Sequence, residues 1–249
     1  MKRVIIGDPH GHWQALKTIY DKEQPDEVVI LGDYFDSFDI DAYTQRDCYN
    51  KIINLRKEHL SKHKGRFIML IGNHDFHYMD EKFGRCSGWN PLTCSQACYP
   101  LCRDYDNEIL KMIFIDEVNK TIYSHAGISM NWFNFWIKSK SLGDINTIET
   151  KALCFTFKEG GDYYGSSSWN GPLWIRPEGL KQSPYTEWDD DNNGIVWNQI
   201  FGHTEPDAPI YWEDGSAKFY GIDCINKAYI VEILDDESYK LIDRKIIFK

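Results

Sequence analysis

Residues 3–8 read Arg-Val-Ile-Ile-Gly-Asp, residues 27–33 read Glu-Val-Val-Ile-Leu-Gly-Asp, and residues 66–75 read Arg-Phe-Ile-Met-Leu-Ile-Gly-Asn-His-Asp. Each is a short apolar run that stops at a glycine followed by a polar side chain. Unbroken apolar runs of this length read as strands buried on both faces, the habit of parallel strands in α/β proteins. Between the runs, residues 12–22 place Trp13, Leu16, Ile19 and Tyr20 at helical spacing. Residues 42–61 do the same with Tyr49, Ile52, Ile53 and Leu60. The order strand, helix, strand, helix, strand makes the first half an α/β arrangement. In open α/β sheets the ligand site lies beyond the carboxyl ends of the strands. Asp8, His10, Asp33, Asn73 and His74 are therefore expected along one edge.

Further along, the pattern changes. Residues 112–115 and 121–124 read as a hairpin whose second strand ends at His125, and residues 129–157 read as two helical pieces. Strands return at 196–201, 217–222, 228–234 and 239–247, the first of them ending in Gly202-His203. No repeat or linker divides the chain, which is expected to be a single domain over 1–249 with irregular insertions at about 76–110 and 158–195. So long an irregular segment reads as a lid or substrate surface.

Composition narrows the function classes. The 249 residues carry a formal net charge of -10, and 42% are hydrophobic. An acidic surface repels nucleic-acid backbones and anionic membranes, which disfavours long nucleic acid as a partner. A small phosphorylated ligand remains compatible, because bound metal ions would reverse the field locally. No stretch approaches the roughly 20 apolar residues of a membrane span, and the start of the chain lacks a signal-like apolar core. The expected setting is cytoplasmic, and the seven cysteines are then free thiols by default.

Five segments carry the chemistry: Gly7-Asp8-Pro9-His10-Gly11, Gly32-Asp33-Tyr34-Phe35-Asp36, Gly72-Asn73-His74-Asp75, Ser124-His125-Ala126-Gly127 and Gly202-His203-Thr204. Taken singly, a Gly-Asp after a strand is an ordinary turn. Together the segments supply carboxylate, amide and imidazole donors, a set that suits Mn, Fe, Zn or Ni. Two such ions about 3.5–4 Å apart clamp a phosphate and activate water.

In this ordered set, Asp-x-His, Gly-Asp-x-x-Asp, Gly-Asn-His-Asp, His-Ala-Gly and Gly-His-Thr, the sequence resembles the calcineurin-like metallophosphoesterases over roughly residues 4–225. The resemblance implies two mixed β-sheets packed as a sandwich and flanked by helices, with a dinuclear metal site at one edge. It also implies that Asp8, His10 and Asp33 hold one ion, and that Asp33, Asn73, His125 and His203 hold the other. His74 would protonate the leaving group, with Asp36 orienting it. The implied activity is hydrolysis of a phosphate ester in a small molecule or a phosphoprotein, with dinucleoside polyphosphate hydrolysis or phosphodiesterase action as the alternative.

Glu205, where many branches continue with a second histidine, points toward the phosphoprotein phosphatase branch. That branch includes the symmetrical diadenosine tetraphosphate hydrolases. So does the segment Leu173-Trp174-Ile175-Arg176-Pro177, in which Arg176 is the candidate phosphate contact. Two positions depart from the branch pattern. Ser37-Phe38 stand where it has Arg-Gly, and Asp75 stands where it has Glu.

Other features have plainer readings. Cys86, Cys94, Cys98 and Cys102 lack the C-x2-C pairs of zinc ribbons. They read as buried free thiols, with a structural zinc or a disulfide as alternatives, and Pro100 argues against a helix running through to Cys102. Asp189–Gly194 reads as a solvated acidic turn rather than a calcium loop. His12, His59, His63 and His77 have no partner pattern and read as structural or exposed.

Overall fold

The three opening runs form strands β1 (Lys2–Ile6), β2 (Glu27–Ile30) and β3 (Phe67–Leu70), paired in parallel. The structure is a computed structural model. It describes every residue except 80–84, 139–140, 148–160, 189–190, 192, 205–207, 224 and 249. Its contacts divide the chain into two compact units, residues 1–111 with 224–249 and residues 112–223. Each unit is built on one mixed sheet.

In the first unit, the sheet continues on one side with β4 (Leu110–Lys111), parallel to β3. On the other side, β12 (Ala228–Leu234) lies antiparallel to β1, and β13 (Leu241–Phe248) antiparallel to β12. Helix α1 (Trp13–Glu23) buries Leu16 and Ile19. Helix α2 (Ala42–Lys62) starts where the Asp41 carboxylate accepts the backbone N–H groups of Tyr43 and Thr44, and it buries Tyr49, Ile52, Ile53 and Leu55. Leu60, expected inward, is half exposed on the last turn of α2.

Segment 76–110 is less irregular than its composition suggests. Helix α3 (Asn73–Met79) leads into it, and helix α4 (Pro91–Asp106) runs straight through Pro100. A proline inside a helix removes one backbone bond and kinks the chain. Here the start is secured by the Asn90 side chain, which accepts the Thr93 N–H, and by Pro91 in the first turn. Burial of Ala97, Pro100, Leu101 and Tyr105 adds to that hold. Cys86, Cys94, Cys98 and Cys102 are free thiols, partly exposed rather than buried.

A ladder of charges crosses this sheet inside the protein. Arg244 Nε donates to Glu232 Oε1 at 2.6 Å, Arg3 bonds Glu232 at 3.1 Å and Glu27 at 2.9 Å, and Arg66 Nε donates to Glu27 at 2.8 Å. The strand register places Arg3 beside both Glu27 and Glu232, and Glu232 beside Arg244. All but Arg66 are buried. Removing one partner from a buried ion pair leaves an uncompensated charge, which is more damaging than never having had the pair. Arg244→Met should lower unfolding stability by about 3 kcal/mol. Denaturant titration would read this as a shifted midpoint with unchanged slope, and a loss below about 0.5 kcal/mol, the surface-substitution range, would show that the ladder does not hold the sheet.

The second unit carries strands β10 (Ile210–Asp214), β11 (Ala217–Gly221), β9 (Asn198–Phe201), β6 (Thr121–Ser124) and β5 (Ile113–Asp116), in that spatial order. The expected β5–β6 hairpin is present, and β9 pairs in parallel with both β6 and β11. After Met130–Trp132 the helix loosens into a π-turn, Phe133–Ile137, followed by a 3-10 turn at Leu142–Asn146. The rest of the expected second helical piece, 148–157, lies outside the described residues, as do the whole of 158–160, Glu205 and part of Asp189–Gly194.

Segment 158–195 contains order that its glycines and serines hide. Pro177–Gln182 is helical, and β7 (Thr186–Trp188) pairs with β8 (Gly194–Val196). Ahead of them, the Asp162 carboxylate accepts the backbone N–H groups of Tyr164, Ser166 and Ser167. The buried Asn170 side chain bonds both the N–H and the C=O of Asp162. Gly165, at φ +78, brings this loop against Trp174 and Arg176, and its carbonyl accepts the Arg176 N–H at 2.8 Å. A side chain at position 165 would meet the Trp174 carbonyl at 2.4 Å. No described helix is long and apolar enough to cross a membrane.

Candidate metal centre

The loops that leave β1 and β2 carry polar residues in strained backbone. His10, Asp33 and Asp36 all have positive φ, at 41, 55 and 67 degrees, a region that side chains with a Cβ seldom occupy. Such strain persists only where surrounding contacts fix it, and they are present. His10 N–H donates to the Asp33 carbonyl at 2.9 Å, and Gly11 N–H to the Tyr34 carbonyl at 3.1 Å. The buried Asp75 carboxylate accepts the backbone N–H groups of Gly72, Asp33 and Tyr34, all between 2.8 and 3.0 Å. Asp75 thereby ties the end of β2 to the end of β3. Gly72 is required there, since a Cβ would fall 1.9 Å from Asp33 Oδ1.

These contacts gather Asp8, His10 and Asp33. The ligand atoms of Asp8 lie within 4.8 Å of those of Asp33 and of His10, and His10 Nε2 is 3.8 Å from Asp33 Oδ2. Asp8, Asp33 and Asn73 are buried. His10 Nδ1 sits 2.7 Å from the Phe35 carbonyl and must donate to it, so Nε2 bears the lone pair. Burial, reinforced by the charge of His74, pushes the His10 pKa down to about 4 and keeps the ring neutral. An imidazole acceptor therefore faces a carboxylate acceptor, with a second carboxylate close by. A divalent cation resolves that arrangement, and neutral imidazole with carboxylate oxygen is its usual donor set. The residues fit a metal ion.

Beside them lies a second cluster around Asp36. Its Oδ2 is 2.8 Å from His74 Nδ1 and 2.8 Å from His77 Nε2, and its Oδ1 accepts the Tyr78 hydroxyl. His77 Nδ1 accepts the Cys86 N–H at 3.1 Å, so its Nε2 carries the proton that faces Asp36. These three could formally hold an ion. However, neighbouring ligands of one tetrahedral ion sit about 3.3 Å apart, given metal bonds near 2.0–2.2 Å. Contacts of 2.8 Å are shorter than that: His74 makes a hydrogen bond to Asp36, and His77 Nε2 stands at ion-pair distance without hydrogen-bonding alignment. Burial would raise the Asp36 pKa, but His74, His77 and Tyr78 outweigh it and hold the group down at about 2. Burial would lower His74, but the charges of Asp33 and Asp36 outweigh it and lift the group to about 9.

In the second unit, His125 follows β6 and His203 follows β9. Their rings meet at 5.1 Å between centroids, and the Gly202 N–H donates to the His125 carbonyl at 2.7 Å. His203 is again a residue at positive φ, 64 degrees. Trp174 touches its ring at 5.4 Å. Arg176 caps the start of the short helix at Pro177 and is half-buried, and it forms no ion pair among the described residues. The sequence signal missed His77, read as structural or exposed. Its partner Asp36 is far away in sequence, and only the short α3 brings it back to His74.

A model of the family described as calcineurin-like phosphoesterase matches residues 1–235. No curated protein matches the sequence. Among solved structures, a protein serine/threonine phosphatase from Saccharomyces cerevisiae, with similarity to human phosphatase PP5, aligns with TM-score 0.56 at 12% identity, over 100% of this chain and 79% of that one. At that identity the likeness is one of fold. A predicted phosphoesterase from Streptococcus pneumoniae TIGR4 (TM-score 0.33, 12% identity, 100% of this chain and 97% of that one) aligns far more loosely. So does a dimetal phosphatase from Danio rerio (TM-score 0.37, 11% identity, 100% and 98%), and neither bears on the argument.

Proposed function

The chain belongs to the calcineurin-like phosphoesterase family, and from that premise we propose that it hydrolyses a phosphate monoester using two divalent metal ions. Asp8, His10 and Asp33 would hold one ion, and Asp33, Asn73, His125 and His203 the other. When bound, the ions supply the Lewis acidity that activates a water and offsets the phosphate charge. The single observation that carries the reading is the meeting of His10 Nε2 with the Asp33 carboxylate, acceptor to acceptor at 3.8 Å.

The rest of the work falls to the chain's own groups. His74 keeps its Nδ1 proton on Asp36, which leaves Nε2 to deliver a proton to the departing oxygen as the P–O bond breaks. His77 and Tyr78 hold Asp36 in turn. Arg176 is proposed to bind a phosphate oxygen in place of the arginine that Ser37 replaces, a role suited to a fork of N–H donors. A bland surface role for Arg176 would leave kinetics unchanged when it becomes alanine.

The test is a panel of esters offered to Mn-loaded protein. A simple monoester should turn over at least about 100-fold faster than the matching diester, since a monoester alone offers the dianion that the ions and Arg176 are arranged to grip and losing one preorganised charge contact typically costs about 10²–10³-fold. Comparable rates, or a faster diester, would move the activity to the phosphodiesterase alternative.

A further inference from the structure

The ring of His203 is the start of an aromatic path. Trp174 lies 5.4 Å from it, and Tyr163 lies 6.3 Å beyond Trp174. Tyr164 then meets Tyr163 edge-on at 5.6 Å. Trp174 is fixed by its indole N–H, which donates to the Tyr163 carbonyl at 2.9 Å. The two tyrosines are 67% and 75% exposed, yet the loop that presents them is tied by side-chain hydrogen bonds. The Asp162 carboxylate takes three of its backbone N–H groups, Asn170 grips Asp162 at both ends, and Gly165 locks the loop to Arg176.

Exposed tyrosines on a floppy loop would mean little. Here three backbone N–H groups are bonded to Asp162 while the rings are left to solvent, so part of the ordering that stacking requires has been met in advance. The half-buried guanidinium of Arg176 stands beside the same loop, its Cγ 3.0 Å from the point where a side chain at Gly165 would begin.

We propose that this shelf of Tyr163, Tyr164 and Trp174 binds the nucleobase of a nucleoside phosphate whose phosphate is the group hydrolysed. The inference rests on the phosphoesterase reading and on His203 as a metal ligand. Spacing selects the ligand class. An aryl phosphate, with its ring bonded through one oxygen to phosphorus, would reach Trp174 at most. A base set off from phosphorus by a sugar reaches further along the path, toward Tyr163. Stacking on such rings accepts any base, because every base has a π-face, so the shelf should favour nucleotides over their base-free counterparts with little choice among bases.

The experiment compares adenosine 5′-monophosphate with ribose 5-phosphate on Mn-loaded protein. The two share the phosphate and the sugar and differ in the base. Wild type should show kcat/KM about 10-fold higher for the nucleotide, within the range of base–aromatic stacking measured by alanine substitution. Tyr163→Ala should reduce the nucleotide value about 10-fold more than the ribose 5-phosphate value, and Tyr163→Phe, which keeps the ring, should retain the preference. Equal kcat/KM for the two esters in wild type, or a preference that survives Tyr163→Ala, overturns the shelf and leaves the phosphoesterase reading standing. Phenyl phosphate is the control: if it too is untouched, the failure belongs to the phosphoesterase reading itself.

Discussion

Asp33→Asn is expected to abolish activity and to lower metal content from two ions toward none. Asp33 is the one carboxylate assigned to both ions, and its Oδ2 already faces His10 Nε2 at 3.8 Å. An amide at that position keeps the shape and removes the negative charge, and it leaves one oxygen with which to bridge. Its other oxygen accepts the His74 N–H at 2.9 Å, so the substitution also disturbs the start of α3. Chelation of the wild type should have the same kinetic outcome reversibly, with Mn restoring turnover. Metal analysis beside the assay decides the matter. A variant that keeps two tightly held ions removes Asp33 from the bridge, and full activity in chelated wild type sinks the metal mechanism.

The second large effect is that of His74→Asn, which should cost about 10²–10⁴-fold in kcat on an alkyl ester while metal content stays normal. The penalty should shrink on an aryl ester, whose leaving group departs without a proton. A group that donates a proton works while it is protonated, so activity is lost as pH rises through its pKa. Without metal, burial opposes protonation of His74 but the charges of Asp33 and Asp36 prevail and place that pKa near 9. Ions at Asp33 cancel much of that support, so the alkaline limb of the wild-type kcat profile should lie below pH 9 and be missing from the variant. Equal losses on both esters together with missing metal would make His74 a ligand instead of an acid.

The parts of this site that could be read from sequence share one property: each follows directly on an apolar strand. Asp8, Asp33, Asn73, His125 and His203 announce themselves because a buried run ends and a metal-type donor comes next. The fold was legible for the same reason, since past the polar first residues of β1 and β2, strands β1, β2 and β3 carry only Val, Ile, Leu, Phe and Met. What stayed hidden depends on partners distant in sequence. Arg3 and Glu27 look like polar residues marking strand starts, and Glu232 looks like an interruption in β12. Only the sheet brings Arg3 to Glu232 across 229 positions. Helix α4 was hidden by Pro100, whose local cost is overridden by burial of its neighbours. The order in the loop after Asp162 was hidden because a carboxylate that binds three backbone N–H groups reads in sequence like any solvated acid.

The way β1 is flanked bears on how the chain reaches its native state during synthesis. One neighbour, β2, emerges from the ribosome within about two dozen residues. The other, β12, is made only after the entire second unit has been translated. Until then β1 presents a bare hydrogen-bonding edge, and Arg3 has Glu27 on one side but lacks Glu232 on the other. An apolar edge left open in this way is a template for unwanted pairing between chains, and closing it joins residues more than two hundred positions apart, a slow kind of contact to form. The arginine on that edge is then useful before folding is complete: a charge on an open strand resists pairing with a second copy, and the same charge later becomes the rung on which β12 locks.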